Sequence, residues 1–368
     1  MNIYILLFVF AILLGLLYQK MGNTPQNRKQ YIFIFLSLLT GESCLRGLSI
    51  GSDTRAYYWT FERYRYVEWS RIWGDFIARY FRNENTEDIG FGIYMKFIHL
   101  ISHNFSFFLF VSALFFFIPL GVLLYRYIND NLQLMFVFVL YISLFNMVAM
   151  SGVRKEIALG FAIWAFLYYV EEKYVYASVV LLIGATIHQT ILLMLLIPLI
   201  ALLPPKWIII SHLVAFLMIP IFILFSGKII IGMANISLNE RYLGYGEHEA
   251  QGGGVTFLIL IELVSLFCLI ALHNQLMKNE NHFFKKLYSM LPLFTIFAPL
   301  ITNNGSMIRI SQYFHIYILI LIPKAIENYF AKKKWKLIYI ILMVFLIILV
   351  MISGTMKYIF IWQDNMII

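Results

Sequence analysis

Charged residues are scarce in this chain of 368 residues, because Asp, Glu, Lys and Arg together make up only 13% of it. Soluble domains are about one quarter charged and about half apolar. Hydrophobic residues reach 61% here, and the mean hydropathy is +0.81. This composition argues against a soluble enzyme, a disordered chain or a nucleic-acid-binding protein, despite the net charge of +9. It predicts an integral membrane protein.

Cysteine is also scarce, and this limits the chemistry that the chain can perform. Its two cysteines, Cys44 and Cys268, lie in apolar stretches and are expected to serve in packing rather than in a disulfide or a metal site. Seven of the eight histidines are scattered without the spacing of metal ligands. No glycine-rich nucleotide-binding loop is present. The sequence therefore predicts no cofactor and no metal; the alternative is a divalent ion held by Asp53 and another acidic residue.

Long apolar runs fill most of the chain, and a helix needs roughly 20 apolar residues to cross the hydrocarbon core. About twelve such runs predict an all-α polytopic membrane protein that forms one membrane domain over 1–368. The predicted spans are 2–18, 31–49, 105–125, 132–150, 153–170, 174–189, 190–203, 207–226, 255–273, 287–301, 306–325 and 336–353. The first run lacks the basic and cleavage regions of a signal peptide, so we expect it to be retained.

Two stretches between the spans are long enough to have a structure of their own. Residues 50–104 are predicted to form a helical or re-entrant periplasmic insertion, in which 89–102 is too short and too mixed to span the membrane. Residues 227–254 are rich in glycine and also contain Tyr242, Tyr245 and Arg241. Glycine gives freedom of movement and tyrosine offers flat faces for sugars, so this loop is either a substrate lid or a plain flexible loop.

Lysine and arginine are distributed differently along the predicted spans. With the amino terminus outside, 12 of the 16 lysines fall on the cytoplasmic side and 10 of the 12 arginines fall outside. Lysine thus follows the rule that cytoplasmic loops hold the basic residues. Arginine suits bidentate contacts with phosphate oxygens, so its excess outside indicates an anion site, although arginines of 55–82 also fit lipid or ion-pair anchors.

Three arginines lie at the outer ends of predicted spans, where a charged side chain is a functional candidate. Arg154 and Arg309 are near the starts of their spans, and Arg46 is at the end of another. A helix start already carries partial positive charge, so an arginine there favours a bound anion. On a helix, Gln312 and Tyr313 share the face of Arg309. The alternative is that each arginine reaches to the headgroups.

Two residues near the same predicted face can accept a proton. His188 ends the sixth predicted span, and its imidazole titrates near neutral pH. Asp53 follows the second span in a Gly51-Ser52-Asp53 turn. Either side chain is a candidate general base. The alternatives are a packing role for the histidine and an N-cap role for the aspartate before a helix that begins at Thr54.

Four short motifs resemble those of the EpsG-like, Wzy-type bacterial polysaccharide polymerases. They are L-R-G-x-x-x-G-S-D-T-R-A-Y from residue 45, S-G-V-R-K-E-I-A-L-G-F-A from 151, I-G-A-T-I-H-Q-T from 183 and M-I-R-I-S-Q-Y-F from 307. The resemblance covers about residues 44–315. It rests on the order and spacing of the four motifs and on their predicted position on the same, outer side of the membrane.

The resemblance implies a multi-span glycosyltransferase of the bacterial cytoplasmic membrane, loosely similar to the GT-C class, that makes O-antigen, capsule or exopolysaccharide. Its donor and acceptor would be oligosaccharides on undecaprenyl diphosphate, its active site would face outward, and membrane lipid and a chain-length co-polymerase would be its partners. Diphosphate binding would fall to Arg46, Arg154, Arg309 and Arg241, and proton transfer to His188 or Asp53. Supporting roles would fall to Thr54, Tyr57, Gln312 and Tyr313.

Two other functions remain open from the sequence. A lipid-linked oligosaccharide flippase also needs arginines for diphosphate, but it should show repeated halves and cations along its cavity, and no internal repeat is visible. A membrane O-acyltransferase needs a catalytic His or Cys near an acyl donor, whereas His188 is predicted to face outward and neither cysteine has an activating neighbour.

Overall fold

A computed structural model describes residues 3–82, 88–237, 254–278, 282–330, 334–353 and 358–364, and these residues are helical almost throughout. The helices are α1 (Ile3–Lys20), α2 (Pro25–Leu45), α3 (Thr54–Tyr64), α4 (Trp69–Phe81), α5 (Ile89–Ile101), α6 (Phe105–Tyr127), α7 (Asn131–Leu144), α8 (Asn146–Ser151), α9 (Val153–Val170), α10 (Tyr174–Ile187), α11 (Leu196–Leu202), α12 (Pro205–Leu224), α13 (Ser226–Ser237), α14 (Val255–Lys278), α15 (His282–Tyr288), α16 (Met290–Phe297), α17 (Ile308–His315), α18 (Ile318–Tyr329) and α19 (Lys334–Ile352). Short 3₁₀ turns cover Gln189–Leu195, Ala298–Thr302, Gly305–Met307 and Ile361–Gln363. Within these ranges there is no β-strand, so the all-α class is confirmed.

Six helical segments of the described chain are long and apolar enough to cross a membrane. They are Ile3–Lys20, Phe105–Tyr127, Pro205–Leu224, Val255–Lys278, His282–Thr302 and Lys334–Ile352. The pair Gly305–His315 and Ile318–Tyr329, bent by 60°, makes a seventh if it is one broken span. These seven match seven of the twelve predicted runs, and the remaining five stay predictions.

The predicted runs outside these seven segments are also helical, but several of them are interrupted or carry charged residues. The run 132–150 is divided between α7 and α8 at Phe145, and 174–203 is divided into α10, a 3₁₀ turn and α11. The helix α9 carries Arg154, Lys155 and Glu156 in its first turn, which lowers its apolar character. Hydropathy alone does not register such breaks, because the residues on both sides of each break are apolar.

Side-chain caps fix where several helices begin. Thr24 accepts a hydrogen bond from the backbone N–H of Asn27 at the start of α2, which has Pro25 in its first turn. Asp130 accepts from the N–H groups of Leu132 and Gln133 at the start of α7. Such caps satisfy N–H groups that the helix itself leaves without partners.

Close helix packing forms the centre of the bundle. Helix α9 packs against both α6 and α10, and α2 packs against α6. A Cβ atom added to Gly160 would lie 2.0 Å from the Phe115 carbonyl oxygen, so the backbones of α9 and α6 approach as closely as only glycine permits. Small residues serve this purpose at contacts between membrane helices.

The loops that were predicted to be cytoplasmic lie together at one end of the bundle. Arg28 donates a hydrogen bond to the Asn129 carbonyl at 2.8 Å, and Lys286 donates to the Tyr169 carbonyl at 3.0 Å. Arg126 and Lys173, from two further loops, both pair with Glu171. These contacts join several predicted cytoplasmic loops, while the side of the membrane that they face stays a prediction.

The insertion 50–104 contains α3, α4 and α5, and it shares a small hydrophobic core with residues of α6, α9 and α10. Helix α5 packs against both α3 and α4, and Phe61, Ile72, Met95 and Phe108 are among the residues buried there. Since α5 has 13 residues and a helix rises about 1.5 Å per residue, it is too short to cross the hydrocarbon core.

The second predicted loop, 227–254, begins as the helix α13 rather than as a loop. Residues 238–253, among them Arg241, Tyr242 and Tyr245, lie outside the described residues. The lid therefore stays a prediction.

Candidate functional site

A cavity of about 240 Å³ lies where the ends of several helices meet the insertion. Its polar walls include Asp53 from the start of α3, Asp88 before α5, Arg154 in α9, His188 after α10 and Arg309 in α17. Five separate elements thus bring their charged or titratable residues into one space. Four of these residues were predicted from the sequence, and Asp88 was not.

Each cavity arginine is paired with one carboxylate. The guanidinium of Arg309 forms an ion pair with Asp53. The Nη1 atom of Arg154 lies 2.8 Å from Oδ2 of Asp88. The cavity therefore holds two cation–anion pairs, with Lys155 as a further cation in its wall.

The pairing of Asp53 decides between its two predicted roles. Asp53 occupies the N-cap position of α3, but its side chain makes no capping hydrogen bond to that helix. Its carboxylate instead contacts Arg309 and accepts a hydrogen bond from the Ser52 hydroxyl at 3.1 Å. The side chain is 32% exposed, so the pair lies at the mouth of the cavity. Asp53 is therefore a residue of the cavity and not a helix cap.

Asp88 connects three groups of the site. Besides Arg154, its carboxylate lies 3.4 Å from Nη2 of Arg79 and 3.8 Å from Nδ1 of His188. Burial raises the pKa of the Asp88 carboxyl, but nearby His188 and the positive charges of Arg154 and Arg79 outweigh this effect and hold the pKa below its usual value. Asp88 therefore stays ionised and fixes the positions of the residues around it.

Tight packing brings Asp88 to His188. A Cβ atom on Gly90 would lie 2.1 Å from the Thr186 hydroxyl oxygen, so the start of α5 is pressed against the end of α10. His188 is the next residue but one after Thr186, and its side chain is only 7% exposed. The sequence offered no signal for this contact, because it joins residues almost 100 positions apart through glycine packing.

Arg309 lies over the amino-terminal end of α9. A Cβ atom on Gly152, the residue before that helix, would be 3.7 Å from Nε of Arg309. Arg154 and Lys155 follow in the first turn of the same helix. The helix start adds partial positive charge to that of the side chains. This combination suits an anion with several oxygens, and above all a phosphate.

The predicted supporting residues differ in their positions relative to the cavity. Tyr57 lines the cavity. Thr54 is buried and donates a hydrogen bond to the Ile50 carbonyl at 2.6 Å. Gln312 and Tyr313 are almost fully buried, and the Tyr313 oxygen accepts a hydrogen bond from Thr190 at 3.2 Å.

Arg46 does not line the cavity and has no exposed surface. Its Nη1 atom donates to the Ser43 hydroxyl at 2.7 Å, and it lies in the electrostatic field of Glu42 and Glu156. The carboxyl-terminal segment covers it, because the neighbouring Gly47 N–H donates to the Ile359 carbonyl at 2.8 Å. The structure thus surrounds this arginine with carboxylates and backbone.

No three His, Cys, Asp or Glu side chains in the described ranges are arranged to hold a metal ion. The predicted independence from metals stays a prediction, which chelation can test.

Comparison with known proteins gives one match. The model of the EpsG family matches residues 28–366, which covers all the cavity residues. No curated protein and no solved structure matches the chain. The loose similarity to the GT-C class therefore stays a prediction.

Proposed function

Since the chain belongs to the EpsG family, whose members are membrane proteins of polysaccharide biosynthesis, we propose that it is a polysaccharide polymerase. It transfers a growing glycan from undecaprenyl diphosphate to the non-reducing sugar of a new lipid-linked repeat unit. It acts in the bacterial cytoplasmic membrane, with its cavity open to the outer side. A separate chain-length co-polymerase is a further partner that the family resemblance implies.

The reaction is a substitution at a sugar carbon. A hydroxyl oxygen of the acceptor sugar forms a bond to the anomeric carbon of the donor glycan. The bond between that carbon and the diphosphate oxygen breaks, and its electron pair leaves with undecaprenyl diphosphate. The hydroxyl proton passes to a base of the protein. The protein must therefore stabilise a departing diphosphate and accept a proton.

The observation that carries this proposal is the cavity in which Arg154 and Arg309 are each paired with a carboxylate. Asp88 and Asp53 occupy positions where phosphate oxygens can bind the same guanidinium groups. Lys155 and the start of α9 add positive charge to the same space. Such preorganised charge is the largest contribution that a protein makes to reactions of this kind.

His188 and Asp53 are the two predicted proton acceptors that line the cavity, where the carboxylate of Asp88 is held by Arg154 and Arg79. His188 is buried beside Asp88, and Asp53 is partly exposed at the mouth. The lipid-linked diphosphate carries the free energy for transfer, so the proposal needs no nucleotide.

The test is a polymerisation assay with purified protein in nanodiscs and a synthetic undecaprenyl-diphosphate repeat unit. The wild-type protein should produce a ladder of longer lipid-linked glycans, with and without EDTA. Arg154→Ala should lower the rate about a hundredfold or more, because the departing diphosphate loses a fixed cation. Arg126→Ala, which removes an arginine at the opposite end of the bundle, serves as the matched control.

Two results would contradict the proposal. A full ladder from a correctly folded Arg154→Ala variant would exclude this cavity as the site. A wild-type protein that makes no ladder with several repeat units, but moves labelled lipid-linked oligosaccharide across liposomes, would be a flippase instead.

A further inference from the structure

A second cavity, of about 420 Å³, lies beside the first on the other side of the Gly51–Arg55 turn. The turn is shared between the two spaces: Asp53 and Tyr57 line the first cavity, and Ser52 and Arg55 line the second. The motif G-S-D-T-R-A-Y thus forms a wall between the two spaces, with Gly51, Ser52 and Arg55 on one side and Asp53, Ala56 and Tyr57 on the other.

The wall is held in place by the chain behind it. Gly51 has a φ of +84°, and a Cβ atom there would lie 2.5 Å from the Met150 carbonyl oxygen, so only glycine fits this position. Thr54 is fully buried and donates to the Ile50 carbonyl at 2.6 Å. The spacing between the two cavities is therefore fixed by the fold.

The second cavity differs from the first in its chemistry. Three serines, Ser49, Ser52 and Ser151, line it together with Tyr4, Tyr358 and Arg55. The Tyr358 hydroxyl is already engaged, since it donates to the Glu42 carbonyl at 2.6 Å. Apolar side chains, among them Met147 and Met150, cover the rest of its surface. Binding sites for small molecules have this volume and this mixture of apolar walls with a few polar groups. Hydroxyls beside apolar and aromatic faces suit a sugar, whereas a diphosphate would find too few cations.

The two cavities are joined through a hydrogen bond across the wall. The Ser52 hydroxyl, on the side of the second cavity, donates to Oδ1 of Asp53, on the side of the first, at 3.1 Å. The Asp53 carboxylate thus lines the first cavity and is hydrogen-bonded to a residue of the second. His188 does not line the second cavity.

On the basis of the proposed function, we propose that this second cavity binds the non-reducing sugar of the acceptor and that Asp53 accepts its proton. The acceptor hydroxyl reaches over the wall to the anomeric carbon of the donor, whose diphosphate lies in the first cavity. As the new carbon–oxygen bond forms and the bond to diphosphate breaks, the proton moves to the Asp53 carboxylate. His188 then acts as a positioning residue beside Asp88 and Arg154.

The experiment separates donor from acceptor by using two modified lipid-linked units. The donor has its non-reducing terminal hydroxyl methylated, so it cannot act as acceptor. The acceptor has a methylene group in place of its anomeric oxygen, so it cannot act as donor. Transfer between them then gives one KM for each substrate.

The variant Met147→Trp fills part of the second cavity at a position that is 50% exposed, where the larger side chain does not disturb the core. It should raise the acceptor KM about tenfold or more and leave the donor KM within about twofold. Ser151→Phe, from another half-buried wall position, should act in the same way and guards against one misfolded variant. Leu217→Trp adds equal bulk on an exposed face of α12 and should change neither value.

An unchanged acceptor KM in both Met147→Trp and Ser151→Phe would overturn the assignment of the second cavity to the acceptor sugar. An equal rise in the acceptor KM and the donor KM would also overturn it. In both cases the polymerase function still stands. If the wild-type protein transfers no glycan, the proposed function fails. Calorimetry then measures whether the lipid-free repeat oligosaccharide binds to the second cavity. Binding that is lost in Met147→Trp and kept in Leu217→Trp would support the site, and equal binding in all three proteins would overturn it.

Discussion

Replacing Asp53 with Asn removes the negative charge that holds Arg309 and preserves the size of the side chain. The exposed fractions of the two side chains are 32% and 22%, so the pair lies at the cavity mouth, in partial contact with water. A diphosphate that binds Arg309 has to displace this carboxylate. We therefore expect Asp53→Asn to bind the diphosphate more tightly than the wild-type protein does, and to transfer no sugar.

The size of the effect follows from the interaction that is removed. A partly exposed ion pair is worth about 1 kcal/mol or less. The carboxylate also repels the incoming phosphate groups, which adds a Coulomb energy of a similar order near a protein surface. Together these effects reach about 1.4 kcal/mol or more, which corresponds to about tenfold tighter binding.

The assay is calorimetry of farnesyl diphosphate binding to protein in nanodiscs, with transfer measured on the same samples. Asp75→Asn removes one negative charge from the same insertion without touching the cavity, and it should leave binding unchanged. If Asp53 served only to orient Arg309, the Asn variant would bind diphosphate more weakly. That result would refute the idea that the carboxylate takes the place of a phosphate.

Three further predictions concern single residues. Asp88→Asn should lower the melting temperature at pH 7. The pKa of this carboxyl in the folded protein lies below its usual value of about 3.9, so the difference in melting temperature from wild type should disappear as the pH falls through and below that value. A difference that stays constant down to low pH would contradict this. Arg154→Lys should keep the charge but lose the forked contact, so transfer should fall while pyrophosphate binding measured by calorimetry weakens only partly; equal activity would exclude a bidentate contact. Arg46→Met should lower the melting temperature, because the hydrogen bonds from the buried guanidinium to Ser43 are lost; full stability with lost transfer would instead return Arg46 to the substrate site.

The convergence of Arg154, His188, Arg309 and Asp53 was predictable because each lies at the end of an apolar run. Successive membrane helices run in opposite directions. The order of the predicted spans and of the charged residues between them is therefore enough to assign the helix ends that carry these residues to one side of the membrane. The prediction needed no knowledge of how the helices pack, and the cavity confirms that the four residues lie together.

The position of Asp88 could not be predicted, since it depends on packing between α5 and α10. The burial of Arg46 has a similar cause, because the segment that covers it lies more than 300 residues further along the chain. The break within the run 132–150 was missed for a different reason. A run of apolar residues has the same hydropathy whether its helix is continuous or interrupted, as in α7 and α8.

The pairing of each cavity arginine with its own carboxylate bears on substrate selection. Two arginines without counterions in a partly dry cavity would repel each other, so Asp53 and Asp88 stabilise the empty site. A ligand must replace both carboxylates to recover the same interactions. A lipid diphosphate brings two phosphate groups and can meet both arginines, whereas a lipid monophosphate meets one and leaves the other pair intact. Under the proposed function, the arrangement favours a lipid diphosphate over a lipid monophosphate without any contact to the sugar. A diphosphate lipid that carries a glycan must therefore be distinguished from one without it by contacts at the sugar itself.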